Sequence, residues 1–329
     1  MRRKNDLWNF ISVHFFEKSF LKKVVIYFLQ KQEIVTLGMN HSDQPITTKF
    51  IDPLTDYGFR FYFASEPRKE ILIEFLNDLF DGERYIEDLE YTPTEHDGDV
   101  PADKRVMFDL NCRGRNNEHF IIEMQRVRQE FFRDRALYYT SRLIHRLLSK
   151  GGESNQYELP AVYLIGVLEF RMDDNEKEQY FYDIALADKI TGKQFYNKLG
   201  FKFLELSNFV KEEHQLESYR DKWMYLLKHM HKMDRLPTFL DKRVFQKIFS
   251  IAEVSKLTTE ERMAYEASLK AKWDSQNAFA YVEKRVREEE QAKMLEERRN
   301  IARAMKADGL SVAQISKFTG LSPEEIQGL

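Results

Sequence analysis

The spacing of hydrophobic and polar positions changes period several times along this chain, and each change marks an element. From Ile51 onward the pattern is that of a packed domain, with Phe59, Phe61, Tyr62 and Phe63 close together. Ser65-Glu66-Pro67 follows, an N-cap with proline in the first turn. Ile71, Leu72, Phe75, Leu76 and Leu79 then recur along one helical face, and Asp81-Gly82 predicts its end. Residues 91–103 are rich in Pro, Gly and Asp and are expected to be a loop. Two period-two runs come next. Val106, Phe108, Leu110 and Cys112 alternate with Met107, Asp109 and Asn111; Phe120, Ile122 and Met124 alternate with Ile121, Glu123 and Gln125. The glycine and asparagines of residues 113–118 tolerate positive φ, so the two runs are expected to form an antiparallel hairpin. Centred near Asn116, it opposes Asp109 with Glu123 and Phe108 with Met124, leaving Asp109, Glu123 and Gln125 together on the face opposite the apolar set.

Ala136, Tyr139, Leu143 and Leu147 predict a helix over 133–150, stopped by Gly151-Gly152. The nearly continuous apolar run 159–170 suits a strand covered on both faces. A mixed α/β sheet flanked by helices is implied. Beyond about residue 185 no further strand pattern is evident: 197–249 reads as helical with a break at Pro237. Residues 259–303, crowded with Glu, Lys and Arg and free of Gly and Pro, predict a long exposed helix. Two short apolar segments divided by Thr319-Gly320-Leu321, the second opened by Ser322-Pro323-Glu324-Glu325, predict a small helix-turn-helix. The expected organisation is therefore an arm or mis-assigned start at 1–44, a core at 45–185, a helical extension at 186–258, the charged helix at 259–303 and a tail at 304–329. Met39, just before a polar stretch, is the reason for setting the arm apart.

Composition narrows the function. The single cysteine, Cys112, excludes an intrachain disulfide framework and a multi-cysteine zinc cage, and fits a reducing, cytoplasmic setting. The longest apolar runs, such as 24–29 and 161–168, fall well short of the roughly 18 residues that span a bilayer, so no membrane partner is expected. With 51 Lys and Arg against 54 Asp and Glu, the chain is no wholesale polycation. Nucleic acid stays open as a partner, because a local basic stripe suffices.

Asp109 with Glu123 is the strongest chemical constellation. Two carboxylates on neighbouring strands form an oxygen-rich site of the kind that takes Mg²⁺ or Mn²⁺ together with water and phosphate oxygens. The rival is a solvated strand face, but like charges directly opposed are unfavourable without a cation or an arginine between them. Gln125, two positions after Glu123, is placed to orient a water, although its amide supplies no positive charge. Asp97, Asp99 and Asp103 lack calcium-loop spacing, and His96, His119 and His145 form no metal-ligand pair.

Phe108-Asp109-Leu110, Ile121-Ile122-Glu123-Met124-Gln125 and the run from Phe131 to Tyr139 resemble the core of the Rpn family, recombination-promoting nucleases and transposases of the PD-(D/E)XK superfamily. The opening from Ile51 to Arg60 is similar to that family's start. The resemblance implies a restriction-endonuclease-like fold and Mg²⁺-dependent cleavage of DNA phosphodiesters, linked to recombination or mobile elements in bacteria. By position, Asp109 and Glu123 resemble the metal-binding acids, and Gln125 stands where the best-known pattern has lysine, a replacement common in the Rpn branch. Asp56 resembles an N-terminal acid that completes the site; a surface N-cap is its other reading.

Arg135 and Tyr139 share a helical face, which the resemblance sets beside the catalytic site. Arg135 is then a phosphate clamp; the plainer reading makes Tyr139 core and turns Arg135 outward. Arg126, Arg128, Arg133, Arg135, Arg142, Arg146 and Lys150 form the expected DNA-phosphate stripe, with Tyr139 beside it. The last helix carries Glu324 and Glu325 and no arginine, which suits protein contact or an auxiliary role better than a major groove, and self-association through the C-terminal helices is one such role. Against an endonuclease stands a catalytically weak DNA-binding or scaffolding protein on the same fold; RNA would suit the same site chemistry as DNA.

Overall fold

The computed structural model describes residues 48–96, 106–149, 158–173 and 178–329. The expected arm at 1–44, the loop with Asp97, Asp99 and Asp103, Lys150 and the Gly151-Gly152 stop lie outside the described residues.

Helix α1, Asp56–Phe63, starts at Thr55, whose hydroxyl accepts the Gly58 amide. Thr55 is thus the N-cap, and Asp56 is the first helical residue, exposed. Ser65 makes no side-chain cap: a 3₁₀ turn at Glu66–Arg68 intervenes, and α2 runs Lys69–Phe80. The predicted apolar face of α2 is buried, and Asp81, at φ 47°, ends it in the left-handed region that Gly82 continues.

The predicted hairpin forms β4, Leu110–Gly114, and β5, His119–Gln125. Leu110 opposes Ile122 and Cys112 opposes Phe120, the register expected from a turn near Asn116, which takes its positive φ at Asn117. Helix α3, Phe132–Ser149, crosses to β6, Val162–Leu168, parallel to β5. Strand β1, Leu89–Tyr91, lies on the other side of β4. Part of the expected loop is also strand, since β2, Glu95–His96, pairs with β3, Val106–Met107.

The helical reading of 197–249 is corrected at its start. Gln194–Glu205 is β8, a strand of 12 residues parallel to β6, and it carries β7, Phe181–Ala187, on its far side. The resulting mixed six-stranded sheet has the order β1-β4-β5-β6-β8-β7 and continues past residue 185. Its two faces are covered by different helices. Phe80 of α2 packs on Phe120 and Tyr163, while Phe132, Ala136 and Leu143 of α3 pack with Ile121, Val162, Leu164 and Phe203. This is the restriction-endonuclease-like α/β arrangement.

Helices α4, Tyr219–His229, and α5, Arg243–Ile251, extend the core around Trp223, which meets Phe63, Phe75 and Phe245. Helix α6, Thr259–Ala307, opens with a Thr258–Glu261 capping box and runs 49 residues. Its first turns bury Tyr265, Leu269 and Lys272, and near its end Ala302 packs with Ile315 of α7, Val312–Thr319, and Ile326 of α8, Pro323–Gln327. Gly320, at φ 71°, makes the turn between α7 and α8, and Ser322 and Glu325 form the predicted capping box. Among the described residues no helix is long and apolar enough to cross a membrane.

Candidate active site

The site is built at the C-terminal end of β5, where β4 has not yet begun. The strand expected over 106–112 breaks at residues 108–109, because Val106–Met107 pairs with β2 and the Phe108 amide donates to Thr94 O. The chain rolls over at this break. Phe108 packs with Ile121 and with the Tyr139 ring on the α3 face, instead of opposing Met124. Asp109 lies outside the ladder, but its backbone amide donates to Glu123 Oε1 at 3.2 Å, and its Oδ2 accepts the Met124 amide at 2.8 Å. The two acids therefore stand side by side, with Glu123 reaching Arg135 of α3.

Burial and mutual charge dominate their electrostatics. Glu123 is 3% exposed, and burial, reinforced by the Asp109 charge, raises its pKa to about 8. Burial also raises Asp109, helped by Asp56 and opposed by the Met124 amide, Arg60 and Arg135. Glu123 closes a ring with three other side chains. Gln125 Nε2 donates to Glu123 Oε2 at 3.2 Å, Gln129 Nε2 donates to Gln125 Oε1 at 3.2 Å, and Arg135 donates to Gln129 Oε1 at 2.8 Å and to Glu123 Oε2 at 3.4 Å. Arg135 also lies over the Tyr139 ring, 4.7 Å from its centroid.

A cleft of about 430 Å³ opens beside this ring, lined by Asp56, Arg60, Asp109, Gln125, Arg126 and Gln129, with Phe59, Met124 and Val127. Arg126 reaches Asp56 Oδ1 at 3.4 Å. The fold thus brings Asp56, Asp109, Glu123, Gln125, Arg126, Arg135 and Tyr139 into one neighbourhood. Arg128 is exposed and Arg142 half-buried, and neither borders the cleft. Arg60 and Gln129 were not singled out by sequence. The signal for Arg60 was available, since it stands four residues after Asp56 on the same helix face.

Among the described residues no group of three or more His, Cys, Asp or Glu side chains could hold a metal ion. A hard divalent cation needs fewer, because one or two carboxylates with water and phosphate oxygens complete its shell. The oxygen-only donors of Asp109 and Glu123, two acids whose ionisation burial opposes, fit such an ion: it would neutralise the charge that their packing concentrates.

Residues 53–282 match the model of the PD-(D/E)XK nuclease family transposases. The chain belongs to this family. Residues 295–329 match the C-terminal HTH domain of the Rpn/YhgA-like nuclease family. No curated protein and no solved structure matches the chain. Membership in the PD-(D/E)XK transposase family gives the chain a nuclease-type, DNA-related function, in a group whose nucleases generally use divalent metal ions.

Proposed function

We propose that this chain is a metal-dependent DNA endonuclease that hydrolyses phosphodiester bonds in recombination or transposition. The observation that supports the reading is the pair of hydrogen bonds, Asp109 amide to Glu123 Oε1 and Met124 amide to Asp109 Oδ2, that sets the two acids side by side where Asp109 lines the cleft. In this reading the two carboxylates hold Mg²⁺, with Mn²⁺ as an alternative, and Asp56 completes the acidic lining. Bound there, the ion supplies a more acidic water and neutralises charge on the phosphate. Gln125 orients the attacking water once its amide leaves Glu123. Arg135 exchanges its Glu123 contact for a phosphate oxygen, and Arg126, Arg128, Tyr139 and Arg142 border the duplex. At the C-terminal end, Glu324 and Glu325 open α8 and oppose phosphates, so α7 and α8 take an auxiliary role. Exposed Phe279, Val282 and Val286 on α6 favour self-association there.

Nicking of supercoiled DNA in Mg²⁺ and in EDTA tests the proposal, comparing the parent with Asp109→Ala and Glu123→Ala. Activity in the parent with Mg²⁺ alone is expected, and equal activity in all three proteins overturns it. The Arg135–Glu123 pair, which occupies a metal-ligating oxygen, favours a second reading as a DNA-binding scaffold. Mg²⁺-insensitive binding without cleavage, unaffected by loss of both acids, would select that reading.

A further inference from the structure

We infer that Arg60 is the phosphate-binding cation of the cleft and supplies there the positive charge that Gln125 lacks. The inference rests on the nuclease reading above. Arg60 stands in the last turn of α1, one turn beyond Asp56, and lines the cleft with Asp109 and Gln125. The three arginines around this site are not equivalent. Arg126 pairs with Asp56 at 3.4 Å and keeps its Nη1 buried, out of reach of a duplex, while Arg135 pairs with Glu123 at 3.4 Å and donates to Gln129 at 2.8 Å. Arg60 is exposed and, among the described residues, has no carboxylate within ion-pair distance.

With all three acids ionised, as metal ligation would require, Asp56, Asp109 and Glu123 are matched by Arg60, Arg126 and Arg135, so a bound divalent ion would leave a positive surplus that favours an anion. An exposed guanidinium with unengaged donors, on a rigid helix beside the acids, is the group best able to take a phosphodiester oxygen without first breaking a native contact. The structural alternative is that Arg60 only complements the C-terminal end of the α1 dipole. A lysine would serve that role equally, and it predicts no change in DNA binding.

The test uses the full chain with Arg60→Gln, which keeps part of the stem and removes the charge, and Arg60→Lys. Duplex DNA binding is measured across a salt series in EDTA and in Ca²⁺, and nicking is followed under single-turnover conditions in Mg²⁺. Arg60→Gln is expected to reduce the slope of log affinity against log salt by about 1 and to slow nicking about 100-fold. Arg60→Lys should keep the slope and recover part of the rate, with both variants melting like the parent. Parent-like slope and rate in Arg60→Gln overturn the assignment and leave the nuclease reading intact. If the parent binds DNA without nicking it, that reading fails and the salt slope alone decides Arg60. A parent that binds no duplex overturns both.

Discussion

Asp109 and Glu123 are held side by side through the backbone: the Asp109 amide donates to Glu123 Oε1 and the Met124 amide to Asp109 Oδ2. The bonds fix the geometry, while the charges oppose each other. Asp109→Asn separates the two effects, because its amide oxygen can still accept from Met124 whereas the like charge is gone. Without metal this variant should be at least as stable as the parent, by up to about 1 kcal/mol at pH 8. It should also lose the Mg²⁺-induced rise in melting temperature. Thermal melts with Mg²⁺ and with EDTA measure both, and a variant that keeps the parent's Mg²⁺ response would remove Asp109 from the metal site.

The raised pKa of Glu123 gives a pH dependence of definite sign. Burial lifts it from 4.5 to about 8, so the folded state binds the proton more tightly than the unfolded state does. Its favourable contribution is complete below about pH 4.5 and is lost as pH rises through about 8. Metal-free stability should therefore fall between pH 6 and 8.5, and Glu123→Gln should flatten that slope. Stabilisation by Mg²⁺ should grow over the same interval, since binding no longer has to displace a proton. Paired melts at the two pH values check this; a larger Mg²⁺ effect at pH 6 would contradict it.

His119 works in the opposite direction. It starts β5 at 5% exposure, and both ring nitrogens lack hydrogen-bond partners among the described residues. Burial, with help from Arg113, lowers its pKa from 6.5 to about 4. The unfolded chain takes up this proton first, so the contribution is present above about pH 6.5 and is lost as pH falls toward 4. His119→Leu removes two unsatisfied buried atoms at similar volume. It should stabilise the fold by about 1 kcal/mol at pH 7 and by more at pH 5. Urea titrations at both values test it, and a destabilised variant with an unchanged acid limb would show that the imidazole is partnered.

The parts of this structure that were legible in the sequence are those where one local signal decides the outcome. Turn-forming residues around Asn116 set the β4–β5 register, and that register brought Asp109 to Glu123. The break at Phe108 was illegible because period-two alternation runs unbroken through 106–112, and the competing pairing of β3 with β2 is made by another part of the chain. Strand β8 escaped for a related reason. It sits between β6 and β7 but carries Lys202 and Glu205, which a covered strand is not expected to hold. Lys202 is 2% exposed and is satisfied by Asp183 at 2.6 Å and Glu83 at 3.2 Å; Glu205 accepts from the Met172 amide and from Asn208. Asn208 stands three residues after Glu205, but Asp183, Glu83 and Met172 reach these charges only through the fold, and no short window of sequence contains them. The spacing of Arg60 from Asp56 was legible, but that Arg60 stands unpaired among the described residues while Arg126 and Arg135 are paired is set only by the fold.

The buried pair Lys272–Asp52 ties the long helix to the start of α1. Lys272 Nζ lies 2.9 Å from Asp52 Oδ2 and 3.5 Å from Glu169, while Tyr265 and Ser268 of the same helix accept the Asp52 and Tyr57 amides. Asp52 in turn accepts the Leu54 amide, and its carbonyl accepts from Thr55, which caps the helix carrying Asp56 and Arg60. Removing one partner strands the other in a nearly dry environment, so Lys272→Met should cost about 3 to 5 kcal/mol. Neutralising both partners of the closer pair, with Asp52→Asn added, keeps the acceptor for Leu54 and removes the nearer of the two charges that Lys272 meets, leaving Glu169. The double variant should then be more stable than Lys272→Met alone, recovering about 2 kcal/mol or more. A double-mutant cycle by urea denaturation measures the coupling. Additive losses would mean that apolar packing of Tyr265 and Leu269, and not the ion pair, anchors α6 to the core.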